Sequence, residues 1–122
     1  EFMIANGGSD SHFADVLGDL NLTVKGFFQT SRLIKDTADK VCGGRVVLMP
    51  GSGYNPKVLP QCWYALVAGV VGLEKFDVND PSAPPSEPLH CRRTVERTVD
   101  ELKRLLRRHW SCFGGFGLNV IP

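Results

Sequence analysis

A short apolar run between two helical patterns, Arg45 to Met49, limits the possible folds more than any other feature of this chain. The run is rich in β-branched side chains and lacks polar alternation, which is typical of a strand covered on both faces in a parallel sheet. A loop containing glycine follows it, and a second, almost wholly apolar helical segment runs from Gln61 to Gly72. Helix, strand, loop and helix in this order predict an α/β domain.

The segments before this strand fit the same architecture. Met3 to Ala5 has the composition of the end of a buried strand, and Asn6 to Asn21 is polar enough to be an ordered loop. Apolar residues then recur at three- and four-residue steps, which predicts a helix. We expect Thr23 to cap its first turn and Gly43-Gly44 to end it. In the second helix, Pro60 fits the first turn.

The C-terminal third has a different composition. Four prolines between Glu74 and Pro88 predict a loop or linker, and His90 to Trp110 returns to helical periodicity before a tail, Ser111 to Pro122. Basic residues outnumber acidic ones in this helix, but no aromatic side chains are interleaved with them. We therefore interpret the charges as a solvated face, and nucleic acid as an improbable partner.

Size and composition limit the class of protein. With 122 residues, 43% of them hydrophobic, the chain can form one core, and 14 basic against 13 acidic residues give it almost no net charge. The longest apolar segment, Trp63 to Leu73, is too short to span a membrane, so we expect a cytoplasmic protein without a membrane partner. Glu1-Phe2 has the appearance of a cloning remnant before Met3. No CxxC pair occurs, which favours free, mostly buried thiols at Cys42, Cys62, Cys91 and Cys112.

Two loops carry side chains that are suited to chemistry. Asp10, His12 and Asp15 follow the first strand, where α/β folds commonly place ligands. A carboxylate and an imidazole could bind zinc, but the pattern alone favours the alternative in which Asp10 and Asp15 cap and order the loop. Tyr54 follows the second strand and should lie at the same sheet edge. Its phenol could donate a hydrogen bond to an oxyanion, or its ring could simply pack beneath the loop.

Both loops together resemble one known family. The segment GGSDSHFADVLGDLNLTVKGF, from Gly7 to Phe27, is similar to the GxDxHxxDPLGxLNLTxxG segment of the zinc-dependent histone deacetylase superfamily. The segment GGRVVLMPGSGYNPKVLPQC, from Gly43 to Cys62, is similar to a later strand and the GGY loop of that family. The nearest likeness is to bacterial class II-like deacetylases, acetoin utilisation proteins and acetylpolyamine amidohydrolases. It implies part of a three-layer arginase/deacetylase-like fold with a parallel sheet, extending over residues 3–110.

The resemblance also implies a role for each matching residue. Asp10 matches a zinc ligand, and Tyr54 matches the tyrosine that stabilises the tetrahedral intermediate. Leu17 matches a position in the acyl-lysine tunnel, and Gly53 lets the backbone approach the substrate. The expected substrates are a small acylated amine or acetyl-lysine, with zinc as cofactor.

The sequence departs from the family at several points. Only one of three family zinc ligands is present, the paired catalytic histidines have no counterpart, Val16 replaces proline, and Ser52 stands where glycine is usual. We therefore expect a chain truncated at its N-terminus, an excised fragment or a truncated reading frame, with weak or no activity alone. Two other hypotheses are a non-catalytic fragment that binds other partners or forms homo-oligomers through an exposed sheet edge, and an ester or lactone hydrolase.

Overall fold

The computed structural model describes residues 1–18, 20–86 and 88–113. The chain divides into two compact units, Glu1–Pro85 and Ser86–Pro122. The first unit contains β1 (Met3–Gly7), α1 (Val24–Cys42), β2 (Val46–Pro50) and α2 (Leu59–Val71). The second contains α3 (Leu89–Leu106) and a 3₁₀ turn at Ser111–Phe113. The rest of the predicted tail, 114–122, lies outside the described residues.

The two strands form a parallel sheet whose register aligns their ends. Met3 pairs with Val46 at one end, and Gly7 pairs with Pro50 at the other. Because both strands run in the same direction, the loops that follow them begin side by side. The α/β class, the parallel pairing and the shared edge are confirmed.

Local sequence signals define the ends of α1. The Thr23 hydroxyl accepts a hydrogen bond from the Gly26 amide at 3.0 Å, which satisfies an otherwise unpaired donor of the first turn. At the other end, Gly43 has a φ of 60° and its amide bonds to the carbonyl of Ala38. A residue with a Cβ would be strained in this left-handed conformation, so the helix ends at glycine.

The core of the first unit lies between α1 and α2. Its buried side chains are Val24, Phe27, Val58, Cys62, Ala65 and Leu66. Burial, reinforced by the nearby Asp80 and Asp15 charges, raises the pKa of the Cys62 thiol to about 12. Cys62 is therefore an inert core residue at neutral pH.

Only one face of the sheet is covered within the described part of the first unit. Ala5 and Gly7 are buried toward the helices, whereas Ile4, Val47 and Met49 are 58%, 47% and 50% exposed. The predicted coverage of β2 on both faces is therefore wrong for the residues described. These exposed side chains form a contiguous apolar surface, because alternate residues of neighbouring strands share a face.

The second unit confirms a helix in the C-terminal third, although α3 ends at Leu106 and not at Trp110. Val95, Val99 and Leu102 lie on one stripe of it, and Arg92 pairs with Glu96 at 3.2 Å. None of the described helices is both long enough and apolar enough to cross a bilayer. All four cysteines are free, but only Cys42 and Cys62 are buried, so the prediction of mostly buried thiols is half correct.

Candidate functional site

The loops after β1 and β2 are hydrogen-bonded to each other close to the sheet edge. Both the amide and the hydroxyl of Ser9 donate to the carbonyl of Ser52, at 3.2 and 3.3 Å. The amide of Gly51 donates to the carbonyl of Gly7 at 3.4 Å. Ser9 is only 1% exposed, so this contact is protected from water. The two loops therefore form one structural unit.

Glycines allow this close approach. A Cβ at Gly53 would collide with the Ser9 hydroxyl, and the φ of 129° at Gly53 is itself outside the usual range for side-chain-bearing residues. A Cβ at Gly8 would collide with Ser52 Oγ and would lie 2.8 Å from Asp10 Oδ1. Asp10 and the loop that carries Tyr54 therefore meet around Gly8.

Ser52 adopts a backbone conformation that favours glycine. Its φ is 53°, the only positive φ at a non-glycine residue in the described part of the chain. A left-handed conformation costs a residue with a Cβ roughly 1–2 kcal/mol. The two hydrogen bonds from Ser9 to the Ser52 carbonyl help to offset this cost, so the loop keeps its shape although serine replaces glycine.

The Asp15 carboxylate joins the first loop to the backbone of Tyr54. Its Oδ2 accepts a hydrogen bond from the Tyr54 amide at 2.8 Å, and its Oδ1 accepts from the amides of Leu17 and Gly18 at 2.9 and 3.3 Å. Desolvation acts to raise the pKa of the Asp15 carboxyl, but these backbone donors outweigh it and lower that pKa below its ordinary value of 3.8. The expectation that Asp15 orders its loop is confirmed.

This lowered pKa makes stability depend on pH. Because the folded state holds the ionised carboxylate more tightly than the unfolded state does, Asp15 stabilises the fold above its unfolded pKa. That contribution is lost as the pH falls through the lower, folded value. We expect Asp15→Asn to reduce the free energy of unfolding near neutral pH, and the difference from wild type to vanish in strong acid. Urea unfolding from about pH 6 to about pH 2 measures this.

The matched control for that series is Asp36→Asn. Asp36 is exposed on α1, so its stability curve should run parallel to that of the wild type. A constant difference between Asp15→Asn and wild type across the whole pH range would contradict the assignment.

His12 lies fully buried beside the site and does not face it. Its Nε2 is 2.7 Å from Asp80 Oδ1, and its Nδ1 accepts from the Ala14 amide at 3.0 Å. These partners assign the proton to Nε2, because Nδ1 acts as an acceptor. Both ring nitrogens are therefore occupied, which excludes the alternative in which His12 shares a metal with Asp10.

The structure places the remaining predicted site residues at or near the solvent. Asp10 is half-buried, Leu17 is 69% exposed and Tyr54 is 52% exposed. The Tyr54 ring is therefore not buried beneath its loop. In the described ranges, no group of three or more His, Cys, Asp or Glu side chains is arranged to hold a metal ion.

Comparisons with known proteins agree with the two loop motifs. The histone deacetylase domain matches residues 1–70, more than half of the chain. The chain belongs to the histone deacetylase family. Membership of this family implies the arginase/deacetylase fold, of which the parallel strands and helices of the first unit are a part.

Several curated members of the histone deacetylase family are similar along the chain. The "Probable deacetylase" of Archaeoglobus fulgidus is 27% identical over 119 residues, covering 93% of this chain and 33% of its own length. Histone deacetylase 6 of Caenorhabditis elegans is 29% identical over 115 residues, covering 94% and 11%. The acetoin utilization protein AcuC of Bacillus subtilis is 28% identical over 75 residues, covering 61% and 19%. The chain thus spans a third or less of the length of these relatives.

Histone deacetylases are generally zinc-dependent, but the described residues do not form a complete zinc site. Catalytic zinc needs about three protein ligands and an open position. No cluster of three candidate ligands is found in the part of the chain that is described, so Asp10 stays a predicted ligand.

Sequence reasoning missed the residue that holds this region together, Asp80. Its Oδ1 bonds both to His12 and to the first amide of α1, that of Val24, at 2.9 Å. It lies in a proline-rich segment that has no periodic pattern. A carboxylate directly before the first proline of that segment, Pro81, was the only available signal, and it does not specify a partner.

Proposed function

We propose that this chain forms part of a zinc-dependent amidohydrolase that removes acetyl or other acyl groups from amines. Asp10 would be one zinc ligand, and Tyr54 would stabilise the oxyanion. The observation that supports this most is the junction of the two loops at one sheet edge, made by Ser9, Ser52 and Asp15. Residues from outside this sequence would have to complete the zinc site.

The phenol of Tyr54 is suited to stabilise a developing negative charge. When the carbonyl carbon of an amide becomes tetrahedral, its oxygen becomes an oxyanion, and a phenol fixed beside it can donate a hydrogen bond. Bound zinc would supply Lewis-acid polarisation of the same carbonyl and a more acidic water. One preorganised donor of this kind is worth about 3 to 4 kcal/mol.

The neighbours of Tyr54 support the proposed substrate class. Leu17 presents an exposed apolar side chain on the loop that Asp15 holds against Tyr54. Such a wall suits the methylene chain of an acyl-lysine or an acylated polyamine. The space beside Gly53 is filled by the Ser9 hydroxyl, so Gly53 brings the two loops together and does not itself make room for the substrate. Esters and lactones pass through the same oxyanion and belong in the same substrate panel.

An exchange experiment tests the role of Tyr54. Acetyl-lysine hydrolysis by the Archaeoglobus fulgidus protein is measured first. The segment of that protein that matches this chain is then replaced by this chain, which gives the exchanged protein. We expect the exchanged protein to hydrolyse the substrate, and Tyr54→Phe to lower kcat roughly 100- to 1,000-fold because the oxyanion loses its donor.

Two controls sharpen the result. Tyr64, the other tyrosine of the chain, is about half exposed on α2, so Tyr64→Phe should leave kcat unchanged. The 122-residue chain alone, with zinc added, should show weak or no turnover. Equal rates for the two tyrosine variants would contradict the proposed role of Tyr54. Zinc-dependent turnover by the isolated chain that Tyr54→Phe abolishes would contradict the expectation that the chain alone has weak or no activity.

A further inference from the structure

The loop that carries Tyr54 does not fix that residue by itself. The two preceding residues, Ser52 and Gly53, have φ values of 53° and 129°, both in the region that favours glycine. Tyr54 is 52% exposed, so packing restrains its ring only in part. A catalytic phenol needs a defined direction, because a displacement of about 1 Å can cost roughly 100-fold in rate. Some other contact has to supply the restraint.

That contact is the carboxylate of Asp15, which is itself held firmly. One of its oxygens accepts from the amides of Leu17 and Gly18, and the other accepts from the Tyr54 amide at 2.8 Å. The Asp15 amide donates to the carbonyl of His12 at 2.9 Å, and the His12 side chain is fully buried. A continuous series of hydrogen bonds thus connects the core to the backbone of Tyr54.

The neighbouring links between the loops do not reach Tyr54. Ser9 holds the carbonyl of Ser52, and the side-chain amide of Asn55 donates to the carbonyl of Ala14 at 2.7 Å. These bonds fix Ser52 and Asn55, which lie on either side of Tyr54. They do not restrain the peptide group that contains the Tyr54 nitrogen. The bond from Asp15 supplies that restraint.

We propose that Asp15 is a positioning residue, whose carboxylate fixes the backbone of Tyr54 and hence the direction of its Cα–Cβ bond relative to Asp10. This inference rests on the proposed role of Tyr54 as oxyanion donor. Asparagine cannot replace the carboxylate, because its amide nitrogen would face backbone N–H groups on one of the two sides. The same carboxylate holds the amide of Leu17, so it aligns the apolar wall with the phenol.

Selective ¹⁵N-tyrosine labelling tests this on the 122-residue chain, because its two tyrosines give two amide signals. In the wild type we expect the Tyr54 amide to exchange at least about tenfold more slowly than in an unfolded chain, the factor that one hydrogen bond provides. In Asp15→Asn the Tyr54 signal should shift and lose this protection, while the Tyr64 amide in α2 keeps its position. Asp36→Asn should change neither signal.

The outcomes that would overturn the proposal are distinct. A Tyr54 amide without protection in the wild type overturns it, whether or not the variant folds. A Tyr54 signal that stays in place and protected in Asp15→Asn also overturns it. In the exchanged enzyme, Asp15→Asn should lower kcat by a larger factor than it raises KM, because the phenol acts only in the transition state, whereas the Leu17 wall also contacts the bound substrate. The amide measurement needs neither zinc nor substrate, so its result is independent of whether the proposed hydrolase activity is found.

Discussion

Replacing His12 by alanine is expected to lower the free energy of unfolding of the first unit by about 3 to 5 kcal/mol. The imidazole is 0% exposed, and its ring stacks on that of Phe13 with centroids 4.3 Å apart. Its removal leaves a cavity and also leaves the Ala14 amide without its acceptor. Asp80 loses the partner that lies 2.7 Å away. Urea unfolding, followed by Trp63 fluorescence in a Trp110→Phe background, measures the change.

Two variants separate the hydrogen bond from the cavity. The side-chain amide of His12→Gln can donate to Asp80, so it should retain part of the lost stability. His90→Ala removes an exposed imidazole from α3 and should have no effect. A loss of less than about 1 kcal/mol in His12→Ala would show that the buried contacts with Asp80 and Ala14 stabilise the fold hardly more than the contacts of an ordinary surface residue do.

The second large effect is expected at Gly69, where α1 and α2 pack closely. A Cβ there would collide with Ser31 Oγ and would lie 2.7 Å from the Phe28 carbonyl oxygen. Ser31 cannot simply move, because the carbonyls of Phe28 and Ala65, at 3.0 and 3.2 Å, share the single proton of its hydroxyl. Gly69→Val should therefore separate the helices and lower the free energy of unfolding by about 2 to 4 kcal/mol.

The control for Gly69→Val is a glycine in open space. A Cβ at Gly51 would meet nothing within 4 Å, and its φ is not positive. Gly51→Ala should be neutral or slightly stabilising, because alanine restricts the unfolded chain. Urea unfolding measures both variants. If Gly69→Val were as stable as the wild type, the conclusion that α1 and α2 pack closely at Gly69 would be wrong.

Elements whose signals are local could be predicted from the sequence. The cap of α1 requires one hydroxyl at Thr23, and its end requires one glycine at Gly43. Both features act within a single turn, so pattern and structure agree. The position of the Tyr54 loop beside the Asp10 loop could also be predicted, because parallel strands place their ends at one edge.

Contacts between distant segments could not be predicted. His12 and Asp80 are 68 residues apart, and no periodicity connects them. A histidine two residues from Asp10 is compatible with a metal site, and only tertiary packing shows that its ring turns inward. The apolar character of β2 likewise indicates burial of both faces, yet Val47 and Met49 are about half exposed within the described residues.

A zinc titration of the 122-residue chain, followed by its backbone amide NMR signals, tests most directly the proposal that Asp10 binds a metal next to Tyr54. A single carboxylate provides only one of the roughly three protein ligands of a catalytic zinc site, so we expect gradual shifts in the loops around Asp10 and Tyr54 that are lost in Asp10→Ala and kept in Asp36→Ala. Shifts that persist in Asp10→Ala, or that appear only around His90 and Cys91, would contradict the claim.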